Sequence, residues 1–367
     1  MANYYKRPDR ARALEVRLKA IHRNVVFGRV LDIGCNDGRI TKTLLDECGI
    51  TGALGVDLEV MHNHFPVLQQ NVMDLNLEDL GEFENILYLN VHHHVMAAAN
   101  GSNAARAQQI LDGLLSSCRV LLFEMGSVTE QLKSPWLRSL KRRFQTDGHS
   151  AEAIFGKNLY FEIASYPMHG GVRKMYKVIG NAPDTWTVKN LQWYARNRGT
   201  VRPHDKRFIK VNDLLHRPFR NPAGARKDDL MKHVCFATFI HNRKAYFAKK
   251  CDSDRVNVAS TFKLYNELRH TRFAGQILQP LYYSQRFGMV WPYDPELMQR
   301  PYGGAVVVSF RNVDRFIESP EQRENIKQLM DCHASIDGQW RPVRAWCEFQ
   351  TVVTSNGLRF IDFDVET

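Results

Sequence analysis

Val30-Leu31-Asp32-Ile33-Gly34-Cys35-Asn36-Asp37-Gly38 decides the fold of the first half of the chain. Its apolar start reads as a buried strand, Gly34 and Gly38 as the turn that follows, and the stretch from Arg39 as the helix that the turn opens. Glycine allows the tight backbone and leaves room for a ligand at the helix start, where unpaired amides favour negative or polar groups. Roughly twenty residues beyond Gly38 stands Asp57, at the end of the next expected strand, Ala53-Leu54-Gly55-Val56-Asp57. A carboxylate there can accept hydrogen bonds from both ribose hydroxyls. Position 36 is asparagine, so G-x-G-x-x-G is absent and NAD is disfavoured. The expected ligand is nucleoside-like.

The same alternation runs outward in both directions. Residues 11 to 22 set Ala13, Leu14, Val16, Leu18 and Ile21 among basic residues, as an amphipathic helix does. After Asp57 come Val67-Leu68, Ile86-Leu87-Tyr88-Leu89, an alanine-rich helix over 104–117 and Val120-Leu121-Leu122-Phe123. Strands alternating with helices predict a parallel sheet covered on both faces. Asn158 to Tyr166 and Lys174 to Gly180, joined by a short Pro-Gly connection, predict an antiparallel pair at its edge.

This arrangement resembles the class I S-adenosylmethionine methyltransferases, whose first motif is D-x-G-x-x-x-G and whose second ends in an acid. The resemblance covers roughly residues 25 to 180, including the antiparallel final pair of that family's Rossmann-like seven-stranded sheet. It implies S-adenosylmethionine as cofactor, with Asp32 and Gly34 at the methionine part, Gly38 in the turn and Asp57 on the ribose. Asp74, in Asn71-Val72-Met73-Asp74-Leu75, would meet the adenine amino group, with Val72 or Met73 packing on the ring.

The acceptor side is expected after the fourth strand, where Asn90-Val91-His92-His93-His94-Val95 falls at the carboxyl edge of the sheet. Asn90 is placed with the cofactor residues. A histidine suits proton removal from a hydroxyl acceptor near neutral pH, so His92, His93 and His94 are all candidates. An ionised phosphate oxygen needs no base, and cationic groups would then neutralise its charge. Adjacent histidines point in different directions and cannot easily share one ion, so no metal site is expected. Glu124, ending Phe123-Glu124, is a second catalytic candidate.

A narrower likeness joins the two halves of the chain. Asn90 to Val95, Leu122-Phe123-Glu124, and Arg173-Lys174-Met175-Tyr176-Lys177-Val178 followed by Asn181 are similar to the bifunctional kinase and methyltransferase family that terminates O-antigen polysaccharide chains. That family phosphorylates a terminal sugar and then methylates the phosphate. In the second half, Ala245 to Lys250 resembles the kinase strand whose lysine holds nucleotide phosphates, making Lys249 and Lys250 candidates, with Glu267 as acidic partner. Met289 to Tyr293 resembles the hinge, and Leu358 to Asp364 the strand carrying the metal-binding aspartate, here Asp362. Trp346 and Thr351 stand where the catalytic aspartate and metal-binding asparagine belong, so a degenerate kinase-like α+β domain is expected and ATP with magnesium is disfavoured.

The expected organisation is a leader helix over 1–24, a methyltransferase domain over 25–195, a basic linker over 196–232 containing Pro203, Pro218, Pro222 and Gly224, and a kinase-like domain over 233–367. Within a chain of 367 residues, 44% apolar, no run approaches a membrane span, and the polar N-terminus lacks a secretory core, so a cytoplasmic protein is expected. Seven scattered cysteines predict reduced, mostly buried thiols. A formal charge of +11 favours anionic partners: a phosphorylated glycan, nucleic acid including an RNA end, or an anionic membrane surface. Lys133, Arg138, Lys141, Arg142 and Arg143 cluster. A non-enzymatic binding protein retaining the fold is the reading from a different class.

Overall fold

The computed structural model describes residues 8–97, 104–156, 158–195, 234–251, 262, 265–266, 279–292, 350–354 and 357–361. The chain divides into two compact units between Thr185 and Trp186.

The first unit opens with helix α1 (Pro8–Asn24) and strand β1 (Gly28–Ile33), followed by α2 (Arg39–Glu47), β2 (Ile50–Asp57) and β3 (Val67–Gln69). A single 3₁₀ turn over Val72–Asp74 and short α3 (Leu77–Leu80) lead into β4 (Phe83–Leu89), α4 (His92–Ala97), α5 (Ala104–Ser116) and β5 (Cys118–Glu124). Helices α6 (Pro135–Arg143) and α7 (Asp147–Phe155), the hairpin β6 (Tyr160–Met168) and β7 (Gly171–Ile179), and one turn of helix, α8 (Ala182–Thr185), complete it.

Its strands form a seven-stranded sheet of order β3-β2-β1-β4-β5-β7-β6. β1 to β5 are parallel, and β7 enters antiparallel between β5 and β6. This is the Rossmann-like sheet expected for residues 25 to 180. The central strands are apolar on both faces because both are covered: Leu31, Ile86 and Leu121 face the α5 and α7 side, while Val30, Leu87 and Leu122 pack with Ala20 and Ile21 of α1. Helix α1 thus belongs to the core of this unit. The chain leaves β1 toward β2 on one side and returns to β4 on the other, so strand order reverses between β1 and β4. In open α/β sheets the crevice outside the carboxyl ends of such a strand pair receives the ligand.

The second unit contains a five-stranded antiparallel sheet of order β11-β12-β10-β9-β8. Its strands are β8 (Lys189–Ala195), β9 (Val234–His241), β10 (Lys244–Cys251), β11 (Tyr282–Ser284) and β12 (Gly288–Pro292). A separate hairpin joins β13 (Gln350–Thr354) to β14 (Gly357–Ile361). The boundary expected after residue 195 is corrected: β8 hydrogen-bonds to β9, with Trp193 opposite Ala237, so 189–195 belongs to the second unit. The expected linker 196–232 lies outside the described residues. Cys35, Cys48 and Cys118 are free thiols, and burial pushes Cys35 up to about 12. Among the described residues no helix is long and apolar enough to cross a membrane.

Candidate functional site

The crevice at the reversal point is built by the chain leaving β1 and the chain leaving β4. Gly34 has φ 74°, and a side-chain carbon there would stand 2.5 Å from Val91 Cγ2. Any other residue would meet both backbone strain and a clash, so the glycine lets the two turns approach closely. Gly38 also has positive φ, 67°, and caps α2. The space beside Gly38, which the sequence left for a ligand, is taken by the His62 ring: an added carbon would lie 2.5 Å from Nε2. His62 stacks on His64 and leans on Phe65. An open cleft of about 440 Å³ lies alongside the turn, lined by Asp37, Arg39, Lys42 and residues 61–64.

Asp57 lies at the carboxyl end of β2, facing this turn. Its Oδ2 accepts from the Asn36 amide at 2.8 Å, which ties the acid to the glycine turn and leaves further lone pairs for a ligand. Asp32 differs from that expectation of ligand contact. It is buried, accepts from Thr41 Oγ1 at 2.6 Å, and desolvation pushes its carboxyl up to about 6 despite that hydrogen bond. It pins α2 to β1. Asn71 caps the 3₁₀ turn through the Met73 amide, and Arg106 Nη2 donates to the Met73 carbonyl at 2.5 Å. Met73 and Val72 are half-buried against the core, and Asp74 is exposed.

The three histidines separate, as helix geometry requires, since successive residues of α4 are turned by about 100°. His92 is in the core, edge-on to Tyr88 and Phe123, and burial pushes it down to about 3. His93 is buried against Trp136, with ring centroids 4.3 Å apart, and its Nδ1 accepts from the Gly126 amide at 3.1 Å. His94 is exposed; partial desolvation, then the nearby Arg173 charge, lower its pKa, so it is neutral at pH 7. The expectation of a base therefore narrows to His94, the member that reaches solvent.

Glu124 is corrected from reacting acid to anchor. Its side chain is 0% exposed, 2.9 Å from Arg17 Nε and 3.5 Å from Arg173 Nη1. Arg173 is held further by Glu130, through Nε at 2.9 Å and Nη2 at 2.7 Å to both oxygens, and it donates from Nη1 to Asn90 Oδ1 at 2.5 Å. Glu130 in turn accepts from the Ser127 amide at 2.8 Å, and Lys141 Nζ donates to its carbonyl. The loop after β5 is tied on its other side by Asp147, which accepts from Ser127 Oγ and the Val128 amide. Arg17, Glu130, Trp136 and His62 were not singled out by the sequence, because each acts through a partner far along the chain. Arg173 entered only through the likeness of its strand.

In the second unit, Lys249 is buried on β10 and Lys250 half-buried beside it. β12 runs antiparallel to β10 with Met289 opposite Lys249, so the expected hinge strand lies in register against the lysine strand. Glu267 and Asp362 lie outside the described residues, as do Trp346 and Tyr293; Thr351 is on β13, paired with Phe360.

No protein-family model matches the chain, and no curated protein does. Among solved structures it is similar to the N-methyltransferase NodS from Bradyrhizobium japonicum WM9 in complex with S-adenosyl-L-homocysteine, at 11% identity, covering 47% of this chain and 88% of that one, TM-score 0.35. It is also similar to the plantazolicin methyltransferase BpumL in complex with the same compound, at 9% identity over 49% and 94% of the two chains, TM-score 0.31. WbdD matches at 14% identity, covering 98% of this chain and 76% of that one, TM-score 0.36.

Proposed function

We propose that the first unit is an S-adenosylmethionine-dependent methyltransferase acting on an anionic acceptor, with a phosphorylated glycan end leading. The carrying observation is the crevice at the strand-order reversal, where Gly34 is packed onto Val91 and Asp57 is tied to the same turn by the Asn36 amide. A nucleoside laid across that turn would find Asp57 for its ribose and Leu58, 63% exposed beside it, for an apolar face. When bound, the cofactor supplies a sulfonium methyl, so an acceptor lone pair forms the new bond as the carbon–sulfur bond breaks and sulfur keeps the pair. The chain itself has to align the acceptor and exclude water. His94, neutral and exposed, would take the proton of a hydroxyl acceptor; an ionised phosphate has none to lose.

Support for an anionic acceptor is electrostatic. Lys133, Arg138, Arg142 and Arg143 are exposed on and before α6, whose Trp136 packs on His93. Like charges at i and i+4, as at 138 and 142, cost a helix a few tenths of a kcal/mol, and an anion relieves that cost. The second unit we read as a kinase-like module without phosphotransfer, supported by Lys249 set against the Met289 strand and by Thr351 where a metal-binding asparagine belongs.

Titration with S-adenosylhomocysteine in a calorimeter tests the cofactor, and mass spectrometry of a terminally phosphorylated oligosaccharide incubated with labelled cofactor tests the acceptor. Micromolar binding and a mass gain of one methyl group are expected. Absence of binding sinks the reading. Methylation confined to RNA, lost steeply with salt, would move the acceptor to nucleic acid.

A further inference from the structure

The amide of Asn90 has a polarity that its neighbour dictates. The residue follows β4 in the left-handed region, φ 64°, with its backbone amide donating to the Glu124 carbonyl at 2.7 Å. Its side chain meets Arg173 Nη1 at 2.5 Å. A guanidinium has five N–H donors and no acceptor, so the atom turned toward it must be the carbonyl oxygen. Which way an amide points is ordinarily an assignment, and here chemistry makes it. Arg173 has little freedom to yield, since its side chain is 7% exposed and the Glu130 carboxylate holds it through Nε and Nη2.

Nδ2 is therefore on the other limb of the amide, and it donates to no described residue. The carboxylates nearby are spent. Glu124 lies between Arg17 and Arg173, and Glu130 receives Arg173 and the Ser127 amide; both side chains are 0% exposed. Among the described residues, Asn90 thus keeps a hydrogen-bond donor in reserve at the carboxyl end of β4, while the Glu124 and Glu130 carboxylates are withdrawn into the core.

We propose that Asn90 is a specificity-determining donor to the acceptor group, held in that polarity by Arg173 as a positioning residue. The site then prefers a reacting group that brings lone pairs to Asn90 Nδ2, such as a phosphate or hydroxyl oxygen, and disfavours an amine, whose N–H would meet another donor. The inference rests on the methyl-transfer reading and moves Asn90 from the cofactor side, where the sequence set it, to the acceptor side.

The test uses the whole chain saturated with S-adenosylhomocysteine and titrated with inorganic phosphate. Asn90→Asp keeps the partnership with Arg173 while turning the donor into an anionic acceptor; phosphate affinity should fall about tenfold or more, the equivalent of one charge-assisted hydrogen bond. Its affinity for S-adenosylhomocysteine should stay within about twofold and its melting temperature should not drop. Asn90→Gly, which suits the positive φ, should show about a threefold to tenfold loss without added charge. Arg173→Gln should also weaken phosphate, and Asn90→Gly added to it should cost no more than about twofold, because the two act as one unit.

Unchanged phosphate affinity in both Asn90 variants overturns the inference. So does a loss of S-adenosylhomocysteine affinity with phosphate unaffected, which would return Asn90 to the cofactor, or wild-type protein that binds S-adenosylhomocysteine and no phosphate. Additive losses would remove Arg173 from the role. Wild-type protein that fails to bind S-adenosylhomocysteine sinks the methyl-transfer reading itself, a result distinct from all of these.

Discussion

Arg17 on the first helix and Glu124 at the end of β5 form an ion pair of 2.9 Å inside the first unit, with side chains 9% and 0% exposed. Glu124 also has Arg173 at 3.5 Å, so one carboxylate is shared by two cations from opposite ends of the unit. A buried charge left without its partner costs about 3 kcal/mol. Arg17→Ala should therefore lower the unfolding free energy by about that amount in urea titration, and Arg17→Met combined with Glu124→Gln should recover part of it. A loss under about 0.5 kcal/mol in the single variant would show that Arg173 alone satisfies the acid.

His92 gives an acid-sensitive core. Its folded pKa is pushed down to about 3 from 6.5 by burial, then by the charge of Arg143. Above 6.5 the ring is neutral in both states and contributes no pH dependence; below 6.5 the unfolded chain takes up a proton that the folded one refuses, so stability falls. Asp32, raised to about 6, acts in the opposite sense, since the folded protein gains a proton first as pH drops below about 6. The two are separated by substitution. His92→Phe should gain about 2 kcal/mol relative to wild type between pH 7.5 and 5, measured by urea titration at each pH. A constant difference across that range would contradict the burial argument.

Asp57→Ala should weaken S-adenosylhomocysteine binding about tenfold by calorimetry, through lost charge-assisted hydrogen bonds to the ribose. The substitution also frees the Asn36 amide that now donates to Asp57. Unaltered affinity would remove the ribose assignment.

Gly34→Ala combines a φ of 74° with a side-chain carbon 2.5 Å from Val91. Binding of the same compound should fall at least about tenfold, and Val91→Ala added to it should restore only the part owed to crowding, since the backbone strain of roughly 1 kcal/mol stays. Full activity of the single variant would mean that the two turns separate freely.

His94→Gln should reduce turnover about a hundredfold on an acceptor that loses a proton and leave S-adenosylhomocysteine affinity unchanged. The same change at His93 should act through stability, because its Nδ1 holds the Gly126 amide. Comparable kinetic loss at both positions with intact folding would relocate the base.

The sequence disclosed the first unit well because its signals are local. A strand, two glycines, a helix and an acid closing the next strand can be read within the segment that contains them, and the structure puts Gly34, Asp57 and Asn90 at the ends of β1, β2 and β4. The chemistry of the acceptor side was hidden for the opposite reason. Arg173 and Asn90 are 83 residues apart, and only the placing of β7 beside β5 brings them together. Three consecutive histidines looked equivalent until α4 turned two inward and one outward. Lys189–Ala195 gave no sign of its partner, since β9 begins only at Val234.

That last strand determines where the protein can be divided. Cutting after Ala195 would strip the five-stranded sheet of one edge and attach a ribbon with no pairing to the other half, an invitation to aggregation. Severing at Thr185 instead follows the boundary between the two compact units and leaves both the seven-stranded and the five-stranded sheet whole.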